Sequence, residues 1–139
     1  MDQLIEFIGN HWLLVAALIV VLGLLGYVSL VGSKGSVNAL GATEMINRRD
    51  ALVVDIRSMN DFAKGHIINA VNIPVNDLKK QIGSLDKYRG KPVIVACRSG
   101  NQSQLAARQL RQAGFDEVYN LSGGMIGWQA ANLPTTKKQ

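Results

Sequence analysis

From Trp12 to Val31 the sequence WLLVAALIVVLGLLGYVSLV runs for 20 residues without a charge or a proline. Coiled as an α-helix, such a run is about 30 Å long, the thickness of the hydrocarbon core of a bilayer. A helix in a soluble core of this length carries a polar stripe, and this one has none. A cleaved signal peptide opens with a basic stretch, whereas residues 1–11 hold Asp2 and Glu6 and no Lys or Arg. The run is therefore expected to be a transmembrane helix, with Trp12 and Tyr27 placed to suit the two interfaces.

That expectation divides the chain into a short N-terminal segment (1–11), the helix (12–31), a small-residue linker GSKGS (32–36) and one domain (37–139). Positive charge follows the helix at Lys34, Arg48 and Arg49 and is missing before it. The positive-inside rule then predicts a single-pass protein of the inner (cytoplasmic) membrane, with its N-terminus out and the domain in the cytoplasm. The single cysteine suits that reducing compartment, because a disulfide needs two. Residues 37–139 carry 14 Lys plus Arg against 8 Asp plus Glu, a net charge of +6 that an anionic leaflet would attract. Nucleic acid is not an expected partner, since the basic residues are scattered and no binding motif accompanies them.

Within the domain, short apolar runs alternate with helical stretches. Strands are expected at Leu52–Ile56, Ala70–Ile73, Val93–Ala96 and Val118–Leu121. Helices are expected at Thr43–Arg48, Asn60–Lys64, Asn76–Ile82, Ser103–Ala113 and Met125–Ala131. In the fourth of these, Leu105, Ala106, Leu110 and Ala113 are expected to share the buried face. The alternation predicts an α/β fold, a parallel sheet flanked by helices on both faces. The tail from Pro134, PTTKKQ, reads as polar and frayed.

Reactive groups in open parallel sheets gather beyond the carboxyl ends of the strands. Cys97 stands there, at the head of the loop CRSGNQS that leads from an apolar strand into a helix. Backbone N–H groups in such a loop point inward, the helix dipole adds positive charge, and Gly100 lets the chain curl. These donors favour thiolate over thiol, which makes Cys97 a candidate nucleophile. The alternative is a small buried hydrophobe, and the donor-rich loop argues against it. Asp55 and Arg57 at another strand end are read as a structural pair, His66 as a turn residue bonded to backbone, and Trp128 as core or rim packing.

The loop CRSGNQS resembles the active-site loop of rhodanese-like domains. So do VVDIRSMNDFAKGHIINAVNIP (Val53 to Pro74) and LSGGMIGWQAANLP (Leu121 to Pro134), which follow the family's order, and with its N-terminal anchor the chain is similar to small membrane-anchored bacterial rhodaneses. The resemblance implies a sulfurtransferase in which Cys97 carries sulfane sulfur as a persulfide, cradled by the backbone of Arg98, Ser99, Gly100, Asn101, Gln102 and Ser103. It implies a small-molecule or protein persulfide donor, a thiol acceptor and no cofactor. Many loops of the family carry arginine where this chain has Gln102, so a fixed positive charge near an anionic donor is missing. A membrane-tethered interaction module with weak or no catalysis is the alternative, since fold alone does not establish activity. A cysteine phosphatase is disfavoured because positions 102 and 103 lack the arginine that clamps phosphoryl oxygens. A disulfide oxidoreductase would need a second cysteine, and one Cys with two separated His makes no metal site.

Overall fold

The computed structural model describes residues 1–32 and 35–138, so positions 33 and 34 of the expected linker lie outside the described residues. The chain divides into two compact units, Met1–Lys34 and Gly35–Gln139. The first holds α1 (Asp2–Asn10) and α2 (Trp12–Gly32). Within α2, Trp12–Ser29 has a mean hydropathy of 2.4 and none of it is buried, the length and composition of a membrane span or of a signal sequence. Helix α1 is not apparent from the sequence, because nine residues are too few for periodicity to stand out.

The second unit is built on a five-stranded, all-parallel sheet in the order β1-β5-β4-β2-β3. Its strands are β1 (Ser36–Val37), β2 (Leu52–Asp55), β3 (Val71–Asn72), β4 (Val93–Ala96) and β5 (Val118–Leu121). The runs LVVD and VIVA are buried along their whole length, as strands covered on both faces must be. They pair in register, Leu52 with Val93 through Asp55 with Ala96. Ser36, placed in the flexible linker by its composition, instead pairs with Asn120 on the edge of the sheet. Two residues give no alternation to read, so β1 is invisible in the sequence.

Two cores follow from the strand period of two. On one face Leu52, Val54, Val93, Val95 and Val118 pack with Ala106, Ala107 and Leu110 of α6 (Gln102–Gln112). Leu78 of α5 (Leu78–Gln81) belongs to the same face. On the other face Val53, Ile94, Ala96 and Leu121 pack with Ala39 and Ala42 of α3 (Ala39–Arg49) and with Met125 and Trp128 of α7 (Gly124–Ala130). The remaining helix, α4 (Met59–Lys64), is capped by Ser58, whose side chain accepts from the Asp61 N–H.

Two helix expectations also need correction. Leu105 is 61% exposed, and the buried stripe of α6 is Ser103, Ala106, Ala107 and Leu110. At 100° per residue Leu105 lies off that stripe, which is defined by spacings of three, four and seven. The helix expected at Asn76–Ile82 is broken into a 3₁₀ turn (Val75–Asp77), α5 and a second 3₁₀ stretch (Ile82–Tyr88). Gly83 lowers helix propensity there, and the Ser84 hydroxyl donates to the Gln81 carbonyl at 2.6 Å, tightening the turn.

Candidate active site

Cys97 is the first residue beyond β4. The alternation that sends Val93 and Val95 toward α6 sends Cys97 the same way, and its side chain joins that core at 2% exposure. Its sulfur accepts the Gly100 N–H at 2.9 Å and lies 3.3 Å from the Ser103 hydroxyl. Ser103 in turn hydrogen-bonds the side chain of Asn120 on β5. Asn101 caps α6 by position but makes no side-chain cap bond, so its side chain does not consume the helix's first N–H groups. Burial pushes the Cys97 thiol up, but hydrogen bonds from the Ser103 side chain and from the N–H groups of Ser103, Gly100 and Ser99 outweigh it. The thiol is held below its usual value.

The first turn of the loop is seated from outside by the start of α7. The Met125 N–H donates to the Cys97 carbonyl at 2.8 Å and the Ile126 N–H to the Arg98 carbonyl at 3.1 Å. With the Arg98 carbonyl fixed on the outside of the loop, the Ser99 N–H in the same peptide plane is turned the opposite way, toward the sulfur. The approach is possible because Gly124 has no side chain: a Cβ there would stand 2.5 Å from the Cys97 carbonyl oxygen and 2.6 Å from that of Arg98. Gly124 also adopts φ +57°, a left-handed conformation that glycine takes without strain.

The loop opens on a cavity of about 560 Å³ walled by the carboxyl ends of three strands. Cys97, Arg98, Ser99, Asn101 and Gln102 line one side, Arg57 and Ser58 beyond β2 another, and Pro74 to Asn76 beyond β3 the third. Arg98, Ser99, Asn101 and Gln102 are exposed, whereas Gly100 and Ser103 are buried against the sulfur. Of the seven residues expected at the site, five thus form the wall and two the seat beneath it. The sequence reading gave Ser103 only a backbone role and passed over Asn120. A polar residue inside the apolar strand VYNL was the available signal.

Asp55 and Arg57 form the structural pair expected of them, with Arg57 Nη2 2.7 Å from Asp55 Oδ2 and a further bond to the Gly65 carbonyl. The His66 ring nitrogens face the carbonyls of Phe62 and Lys138, at 2.8 and 2.7 Å, and the residue does not line the cysteine cavity. Thr136 pairs with His66 through backbone bonds in both directions, so the tail expected to fray is held at this point. Trp128 is buried and donates its indole N–H to the Pro134 carbonyl. Among the described residues no cluster of three or more His, Cys, Asp or Glu side chains is placed to hold a metal ion.

The comparison with known proteins agrees with this geometry. The family model for the rhodanese-like domain matches residues 39–131. Protein YibN of Escherichia coli (strain K12) is 38% identical over 142 residues, covering 99% of each chain. The thiosulfate sulfurtransferase GlpE of Shewanella oneidensis is 42% identical over 97 residues, 70% of this chain and 92% of that protein. A crystal structure of a rhodanese-related protein from Thermoplasma volcanium superposes with a TM-score of 0.67 at 31% identity, covering 74% of this chain and 98% of the other. By sequence and by fold alike, the chain belongs to the rhodanese-like domain family.

Proposed function

We propose that this chain is a membrane-anchored sulfurtransferase that carries sulfane sulfur as a persulfide on Cys97. The observation that carries the reading is a thiol held toward its charged form by backbone donors at the floor of an open cavity. In the first half-reaction the Cys97 thiolate attacks the outer sulfur of a donor such as thiosulfate. A new S–S bond forms, the donor's S–S bond breaks, and its electron pair leaves with sulfite. In the second, an acceptor thiolate attacks the outer sulfur of the persulfide, and Cys97 departs as the thiolate that began the cycle. No resolving cysteine is required, and the chain has none.

The backbone of Arg98 to Ser103 serves both charged states of the sulfur, because N–H donors stabilise a thiolate and a terminal persulfide alike. Gln102 supplies no charge and Arg57 is paired with Asp55, so Arg98 is the cation on the cavity wall left for an anionic donor, with Asp61 also on that wall. Residues 12–31 supply the anchor, and the positive charge that follows them puts the domain on the cytoplasmic side of the inner membrane.

Mass spectrometry of the full chain in detergent tests the chemistry. After exposure to thiosulfate or to a glutathione persulfide, Cys97 should gain one sulfur atom, and a thiol acceptor should remove it. Absence of the gain with both donors, or the same gain in Cys97→Ser, overturns the proposal. A membrane-impermeant thiol reagent applied to intact cells tests the placement: Cys97 should be protected, and labelling it contradicts the cytoplasmic assignment.

A further inference from the structure

Cys97, Ser103 and Asn120 form a buried row with relative exposures of 2%, 0% and 5%. Ser103 stands in the middle, within hydrogen-bond reach of the sulfur on one side and of the Asn120 side chain on the other. A hydroxyl has one proton and can donate in only one direction at a time. While Cys97 is a thiol the row is complete as it stands: S–H donates to Ser103, and the Ser103 O–H donates to Asn120 Oδ1. Once the thiol has given its proton to solvent, the sulfur can only accept. Ser103 must then turn its O–H to the sulfur, which leaves its oxygen facing the Asn120 carbonyl oxygen, acceptor against acceptor.

A half-turn of the amide removes that conflict. It brings Nδ2–H to where Oδ1 stood, and the row then runs in the opposite sense, from Asn120 through Ser103 to the sulfur. Among side chains of this shape only an amide offers both ends: a carboxylate could only accept, and an aliphatic group could do neither. Asn120 is not part of the cavity wall, so its reach to the sulfur is through Ser103.

We propose that Asn120 is a positioning residue whose amide turns with the charge on Cys97 and holds the Ser103 hydroxyl on the thiolate. This deepens the sulfurtransferase reading and rests on it, because Cys97 must be a thiolate at the start of the cycle and again as leaving group at its end. The row gives that ionisation a buried, self-adjusting donor that no backbone N–H can supply.

The test is the pH profile of alkylation of Cys97 by iodoacetamide in the full chain. Asn120→Leu should move the inflection up by about one unit, roughly a tenfold loss of thiolate at neutral pH. Asn120→Asp, which keeps the shape of the side chain and so the fold, should move it further up, since the carboxylate holds the Ser103 proton away from the sulfur. In a Ser103→Ala background Asn120→Leu should add nothing, because the link is gone. An unchanged inflection in Asn120→Leu and Asn120→Asp, or an Asn120→Leu shift of equal size with and without Ser103, overturns the proposal. Alkylation needs no sulfur donor, so the two readings fail separately: a chain that shows this coupling but takes up no sulfur refutes the transferase and keeps the row, and the reverse outcome does the opposite.

Discussion

Two loops leave neighbouring strands at the same edge of the sheet, and they spend their polar groups in opposite ways. Beyond β2 the charges are satisfied internally. The Asp55 carboxylate, 1% exposed, takes the Arg57 guanidinium through several bonds and the Arg57 N–H as well, and Asn72 donates to the carbonyls of Asp55 and Arg57. Beyond β4 the loop around Cys97 is held from outside, through its carbonyls, by the start of α7, and its N–H groups turn toward a sulfur. One loop is closed by side chains, its own and that of Asn72 on β3. The other is seated by a neighbour so that its backbone stays free to bind something else. The same edge geometry serves framework in one case and, on the function proposed, chemistry in the other, and what separates them is whether the donors are consumed by surrounding protein groups.

That contrast can be broken by mutation. The largest effect is expected at the framework loop. Arg57→Leu leaves the Asp55 carboxylate buried without its cation, at a cost of about 3–5 kcal/mol of folding stability. Chemical denaturation of the full chain would show it, and a loss below about 1 kcal/mol would mean that the pair is not the closure of this loop. The next effect falls on the seat of the cysteine loop. Gly124→Ala drives a Cβ against the carbonyls of Cys97 and Arg98 and should cost about 1–3 kcal/mol. It should also raise the inflection of Cys97 alkylation, because the displaced peptide planes carry the donors with them. Lost stability with an unmoved inflection would separate the seat from the thiol and dissolve the comparison.

The sheet was legible in the sequence because two neighbouring strands, LVVD and VIVA, are short, largely apolar runs rich in β-branched residues, as strands covered on both faces are. The place of the candidate nucleophile was legible for a related reason: a cysteine directly after such a strand, followed by small and polar residues, has few places to go in a parallel sheet. What stayed hidden depends on contacts between distant segments. Strand β1 exists because Ser36 and Val37 find Asn120 and Leu121 across 84 positions of sequence. The Gly-Gly pair was noticed through its resemblance to a family signature, but its task, letting α7 close on the Cys97 loop, is visible only when the two backbones are side by side. Leu105 misleads because its spacing to Ala106, Leu110 and Ala113 suggests a shared face, whereas its angle about the helix axis sends it away from the stripe of Ser103, Ala106, Ala107 and Leu110.

The central claim is that the loop backbone and Ser103 outweigh burial and hold Cys97 toward thiolate. The sign is fixed by the chemistry: thiolate is the reactive form, so alkylation rises with pH as the proton leaves and levels off when ionisation is complete. A lowered value in the folded chain brings that plateau to lower pH than in the unfolded one. Titration of the alkylation rate of Cys97 in the intact full chain, beside the same chain unfolded in denaturant, measures this directly. The account predicts a folded-state inflection below the free-cysteine value of about 8.5, and an inflection at or above that value would contradict it.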